Sequence, residues 1–164
     1  MTQQTEPTAK SPPMTKPLEG VPLPDLERIP DYERGFWEGT GHGELRIQQC
    51  SDCGRYRHLP TPMCPECSSL NYIWTRVSGR GFVYSYVIVR HPVHPAIHER
   101  EQTPYNVCMI ELVEQEGLRI CSNVLQVAPE DISIGMSVQA TFIAAVDDPE
   151  VALPLFLPVP YRSR

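Results

Sequence analysis

From residue 44 onward, apolar and polar positions alternate in short runs, the period of two that belongs to strands. Residues 44–49 (ELRIQQ) read as a short strand running into Cys50. Beyond Cys67, residues 71–77, 81–90, 105–114, 118–127, 137–145 and 153–159 are each rich in Val, Ile, Tyr, Phe or Thr and are predicted as strands. Residues 115–117 are short enough for a hairpin connection. Residues 128–135 (APEDISIG) open with Pro-Glu-Asp, which supports one helical turn. Upstream, residues 25–40 (DLERIPDYERGFWEGT) are predicted as a short helical lead-in. Asp31 is its expected cap, Phe36-Trp37 its apolar contact and Gly39 its end.

Five antiparallel strands with a short helix or turn before the fourth describe a small Greek-key barrel of the OB type. The expected fold is mainly β: a short N-terminal helix, a cysteine-bearing ribbon, then a five-stranded barrel. Proline usage sets its lower boundary. Of 18 prolines in 164 residues, 7 fall within the first 30. Residues 1–24 are therefore expected as a solvated, disordered tail, 25–70 as helix plus ribbon, and 71–164 as the barrel.

Charge narrows the function. The net charge of -6 opposes non-specific attraction to nucleic acid, which depends on basic side chains meeting phosphates. The lysines, Lys10 and Lys16, both sit in the head, and every later basic residue is an arginine. No apolar run is long enough for a membrane-spanning helix, and the head carries no apolar signal segment, so a cytoplasmic protein is expected.

Cys50, Cys53, Cys64 and Cys67 form two C-x-x-C pairs ten residues apart. Each pair places two sulfurs on one turn, and two turns supply the four ligands of a tetrahedral zinc ion. Gly54, directly after the first pair, suits the positive φ such a turn needs. Four sulfurs alone do not distinguish zinc from a redox iron, and a dithiol exchange site is the third reading. A zinc ion fully coordinated by four cysteines leaves no position for water or substrate, so it is structural.

The remaining candidates are weaker. His91, His94 and His98 stand in RHPVHPAIHE, where Pro92 and Pro95 prevent the helix that would align two of them, so a polar surface loop is expected. Cys108 and Cys121 are expected as small buried hydrophobes in adjacent strands. Glu111 and Glu114 are spaced to face opposite sides of a strand and do not make an acid–base pair. Phosphate-binding glycine loops, nucleophile elbows and hydride-cofactor fingerprints are absent from the sequence.

The order of features resembles a family of acyl-CoA-associated proteins with a rubredoxin-like zinc ribbon followed by an OB-fold, long carried as a domain of unknown function. The matching stretches are Phe36-Trp37-Glu38, Gly43-Glu44-Leu45, Cys50-x-x-Cys53-Gly54 and Cys64-Pro65-x-Cys67. They continue through Gly79-Arg80-Gly81, Pro104-Tyr105, Pro129-Glu130-Asp131-Ile132, Ile134-Gly135-Met136 and Leu153-Pro154-x-Phe156. The sequence departs at Thr61, where many members carry the arginine of a Pro-Pro-Arg element.

The resemblance implies an accessory subunit. Its partner would be a thiolase-like enzyme: a thiolase, an acyltransferase or an aldolase acting on CoA-linked steroid side chains. It also implies a structural Zn2+ held by Cys50, Cys53, Cys64 and Cys67, and acyl-CoA as a ligand shared with the partner. Arg55, Arg57, Arg80 and Arg90 are candidates for the CoA phosphates, with residues 90–103 bordering the CoA tunnel. Two rivals remain. A single-stranded nucleic-acid binder would use Phe82, Tyr84 and Tyr86 as a stacking platform on one strand face, and an electron carrier would hold iron in the four cysteines.

Overall fold

The alternation after residue 80 folds into one antiparallel sheet of five strands that curls on itself. The computed structural model describes residues 10–16, 24–91, 104–144 and 150–159. Its elements run α1 (Asp31–Gly41), β1 (Arg46–Cys50), β2 (Tyr56–Arg57), β3 (Tyr72–Arg76), β4 (Arg80–Val89) and β5 (Tyr105–Leu112). They continue with β6 (Arg119–Ser122), a 3-10 turn at Pro129–Asp131, β7 (Ser137–Ala144) and β8 (Ala152–Pro158). The barrel sheet has the order β6-β5-β4-β7-β8. It closes where Val124 bridges Phe156 in parallel: the Leu125 amide donates to the Phe156 carbonyl at 2.8 Å and the Phe156 amide to the Asn123 carbonyl at 3.0 Å. This is the mainly β, OB-like barrel expected from the sequence.

A second sheet of order β2-β1-β3 forms the ribbon. Strand β3 pairs with β1 along its whole length, so residues 72–76 complete this sheet. One core nonetheless serves both sheets. Phe36, Leu45 and Ile47 join Val83, Ile110, Ile120, Val138 and Phe156 in a single buried cluster. Helix α1 touches β1 and β3 on one side and β7 and β8 on the other, so it wedges ribbon against barrel. Gly35 lets the helix backbone lie directly on the Trp74 ring, where any Cβ would collide.

The helix ends differ from the expected ones. Pro30 occupies the N-cap without a side-chain bond, and Asp31 is already the first helical residue. Asp25 instead folds its own turn, accepting the Glu27 amide at 3.0 Å. Gly39 lies inside the helix, packed on Arg46, and the chain turns at Gly43 with φ of 71°.

Strand β4 carries a bulge. Val83 pairs with Ile110 and Ser85 with Met109, leaving Tyr84 as the extra residue. The bulge reverses the face of everything beyond it. Phe82 pairs with Glu111, whereas Tyr86 pairs with the buried Cys108 on the opposite face of the sheet. The three-aromatic platform is therefore not formed. Tyr84 is engaged instead by Arg119, whose guanidinium carbon lies 3.5 Å from the ring centroid and whose Nε donates to Glu111 at 2.8 Å.

Within the stretch expected as a tail, residues 10–16 lie against the barrel. They run antiparallel to the segment after β6, with Lys10 paired to Asp131 at 2.6 Å and the Ser11 hydroxyl donating to Glu130 at 2.7 Å. The Met14 carbonyl accepts the Gln126 amide at 2.6 Å. Gln126 is a non-glycine residue at φ of 59°, and this bond helps hold it there.

Candidate metal centre

The two C-x-x-C turns are built on one plan. Cys50 and Cys64 each donate their amide to the carbonyl five residues on, Arg55 at 2.9 Å and Ser69 at 2.8 Å. Each accepts at its own carbonyl the amide four residues on, from Gly54 at 3.0 Å and Ser68 at 2.9 Å. Gly54 has φ of 75°, as the sequence led us to expect, and the matching position in the second turn is Ser68 at φ of 60°. Asp52 ties the turns together by accepting from the Ser69 hydroxyl and from Asn71.

This plan aims amides at sulfur. The Cys53 and Asp52 amides lower the pKa of Cys50, and the Cys67 and Glu66 amides bring Cys64 down to about 6. The second cysteine of each turn moves the other way. Although the Ser69 amide donates to Cys67, burial and the neighbouring thiolates push it up to about 12; Cys53 rises despite the Arg55 amide, through burial and Cys50. Four thiolates so close cannot all ionise without a cation among them.

The fit to zinc is direct. All four sulfurs lie within 4.8 Å of one another, and the Cys50–Cys67 and Cys53–Cys64 pairs are 3.6 Å apart. A tetrahedron with Zn–S of about 2.3 Å has edges of about 3.8 Å. The four sulfurs fill that coordination shell, so zinc held here fastens the ribbon and has no position left for substrate.

The other expected site residues do not converge. Arg55 pairs with Glu66 at 3.3 Å on the ribbon, while Arg80 opens β4 and Arg90 follows its last residue, Val89. Arg90 pairs with Glu130 at 3.5 Å. Arg57 is buried, its Nε donating to Gln48. His91 is exposed; His94 and His98 lie outside the described residues. Cys108 is buried, but Cys121 is exposed because it pairs with Met109, one step out of phase with the Cys108–Ser122 pair. Glu111 binds Arg119, and Glu114 sits beyond the end of β5 with Oε1 accepting the Ser78 amide at 2.7 Å.

The ribbon matches the family described as "ChsH2, rubredoxin-like zinc ribbon domain" over residues 37–72, and the barrel matches "ChsH2, C-terminal OB-fold domain" over residues 74–142. A DUF35 domain-containing scaffold protein of Methanocaldococcus jannaschii is 36% identical over 61% of this chain and 68% of its own length. The chain belongs to the DUF35 family. Two further relatives are longer. The probable enoyl-CoA hydratase alpha subunit of Thermomonospora curvata is 38% identical over 96% of this chain and 43% of its own length. The 3-oxo-4,17-pregnadiene-20-carboxyl-CoA hydratase alpha subunit of Mycobacterium tuberculosis is 34% identical over 73% and 37%. This DUF35 chain thus spans less than half of either hydratase subunit. A solved structure described as an "Ltp2-ChsH2(DUF35) aldolase" superposes with a TM-score of 0.68 at 38% identity, covering 80% of this chain and 97% of that one.

Gln48 and Gln115 are structural residues that the sequence motifs do not mark, and Arg57, expected as an exposed phosphate contact, is buried with Gln48. Nothing in their sequence context distinguishes them from surface polar residues.

Proposed function

We propose that this chain is a non-catalytic accessory subunit that docks on a thiolase-like enzyme, of the Ltp2 aldolase kind, and helps complete its acyl-CoA site. The observation that carries the reading is the likeness to the DUF35 chain of the aldolase over nearly all of that chain. The chemistry of the described residues agrees with it. The zinc site is closed, and the thiol of Cys108 is buried and pushed up to about 12, so it does not serve as a nucleophile. Apolar side chains left exposed at Leu59, Met63, Leu70 and Ile73 on the ribbon, and at Tyr84 and Val87 on the barrel, suit a surface that a partner covers.

Among the arginines, Arg55, Arg80 and Arg90 present exposed guanidinium groups to CoA phosphates, on separate parts of the surface. Arg57 is withdrawn from that set by its burial. A cytoplasmic setting suits the six unbridged cysteines, which a reducing compartment keeps available for zinc. Lipid, sterol or aromatic acyl-CoA metabolism is the matching context.

The test is co-expression with a thiolase-like enzyme from the same source. The two should co-purify, and turnover of the enzyme should fall when this chain is omitted. An enzyme that runs at full rate alone rules the proposal out.

A further inference from the structure

Arg57 is a permanent charge that the fold hides. It is 7% exposed, its Nε donates to Gln48 Oε1 at 2.5 Å, and both terminal nitrogens are enclosed without a hydrogen-bond partner. Gln48 is itself fully buried and already accepts the Thr61 amide at 2.9 Å on the same oxygen. A guanidinium does not shed its proton, and burying a charge without compensation is costly enough that a counter-charge is expected near it.

The sheet register shows which side of the ribbon the charge occupies. Arg57 stands opposite Gln48, and Cys50, two residues further along β1, stands opposite Tyr72 on the far strand β3. Paired positions share a face, so Gln48, Cys50, Arg57 and Tyr72 lie on one side of the ribbon. The Arg57 guanidinium carbon is 5.8 Å from the Tyr72 ring centroid. From β2, a side chain reaches Tyr72 by crossing over β1, from the register of Gln48 to that of Cys50, so the guanidinium lies on the face of the sheet that bears Cys50. The acidic side chains at the turns are engaged elsewhere, Glu66 by Arg55 and Asp52 by Ser69 and Asn71. Four thiolates around one Zn2+ leave a net charge of minus two on the centre, the largest negative charge this part of the fold would hold.

We propose that Arg57 is the buried counter-charge of the four-thiolate zinc centre, a positioning residue that steadies the dianion from the face of the ribbon sheet. It draws electron density on the sulfurs inward and makes them poorer nucleophiles. The bonds concerned are Zn–S bonds, which an alkylating agent breaks by taking a thiolate lone pair into a new S–C bond.

Zinc-loaded full-length chain treated with N-ethylmaleimide, with a chromophoric chelator to report released zinc, reads this out. Arg57→Gln should lose zinc roughly tenfold faster than the parent, and Arg57→Lys, which keeps the charge, should stay within about threefold of it. Replacing zinc by Co2+ gives a second readout. The sulfur-to-cobalt charge-transfer band of Arg57→Gln should move to lower energy, because the thiolate electrons lose a stabilising positive charge. Arg57→Met removes the same charge and keeps an apolar stem, and it carries both measurements if Arg57→Gln does not fold. Parent-like release with an unmoved band overturns the proposal. So does thermal stabilisation of the parent, but not of Arg57→Gln, by inorganic phosphate, which would make an external anion the counter-charge.

Discussion

Tyr56 and Gln115 exchange two hydrogen bonds across the seam between ribbon and barrel. The Tyr56 amide donates to Gln115 Oε1 at 2.9 Å, and Gln115 Nε2 donates back to the Tyr56 carbonyl at 3.0 Å. A carboxamide offers one acceptor and one donor in the arrangement of a peptide unit, so this side chain extends the edge of β2 as a strand would. The 115–117 turn of the β5–β6 hairpin thereby does more than reverse the chain. Gln115→Ala removes both bonds and should cost about 1–2 kcal/mol, since a part-buried peptide regains only some of its hydration. Urea unfolding of the zinc-loaded chain measures the cost, and faster hydrogen exchange at the Tyr56 amide locates it. Unchanged exchange at Tyr56 would show that the seam is held by other contacts.

Cys64 is the buried sulfur that accepts the Glu66 and Cys67 amides, and the metal holds a ribbon whose strands are two and five residues long. Strands that short do not fold on hydrogen bonds alone. Cys64→Ser should bind less than one zinc per chain, where the parent binds one, and should lose solubility with it. Metal analysis by mass spectrometry on the purified chains decides this. A soluble serine variant that keeps one tightly held zinc would mean that three sulfurs suffice.

Asn106 does for the barrel what Gln115 does for the seam. Its Nδ2 donates to the Val124 carbonyl at 2.8 Å and its Oδ1 accepts the Val124 amide at 2.8 Å, both inside the protein. The segment after β6 is thus fastened to β5 by a side chain where the strand ladder has ended. Asn106→Ala leaves both Val124 groups buried without partners and should cost about 2–4 kcal/mol. The damage should concentrate at the parallel closure, read as lost exchange protection at the Leu125 amide, which donates to Phe156. Equal loss of protection throughout the sheet would contradict a local role.

Much of this architecture is legible in the chain because it rests on local rules. The spacing of Cys50, Cys53, Cys64 and Cys67 is a property of two turns, and Gly54 marks the positive φ that one of them requires. The strands show as alternation, since one face of each packs on the common core. What alternation does not carry is pairing. The extra residue at Tyr84 is set by the register of β4 against β5, and it alone sends Tyr86 to the opposite face. Cys121 looks like Cys108 until Met109 is known to be its neighbour. Asn106 and Gln115 read as ordinary polar residues, because their partners lie 18 and 59 positions away. Met14 sits among prolines that argue for solvated chain, yet its carbonyl meets Gln126. Arg57 is the sharpest miss, since an arginine between two metal-binding turns is expected at the surface.

His58 links the ribbon to acid stability. Its ring packs 5.0 Å from that of Phe36, its Nδ1 is buried without a partner, and burial lowers its pKa from 6.5 to about 4. The folded chain therefore keeps the ring neutral in a range where the unfolded chain protonates it. Between about pH 6.5 and pH 4 the unfolded state binds the extra proton, so stability falls as pH falls, and the loss levels off below the folded value. The full difference is about 3.5 kcal/mol, at about 1.4 kcal/mol per pKa unit. His58→Phe keeps a ring against Phe36 and removes the titration. Acid also strips zinc from thiolates, so the informative quantity is the stability difference between variant and parent, both held in excess zinc. From pH 7.5 to pH 5 that difference should shift by about 2 kcal/mol in favour of His58→Phe. Parallel pH profiles for the two chains would mean that the folded ring takes up its proton as readily as the unfolded one, and that the acid sensitivity of the ribbon belongs to the cysteines alone.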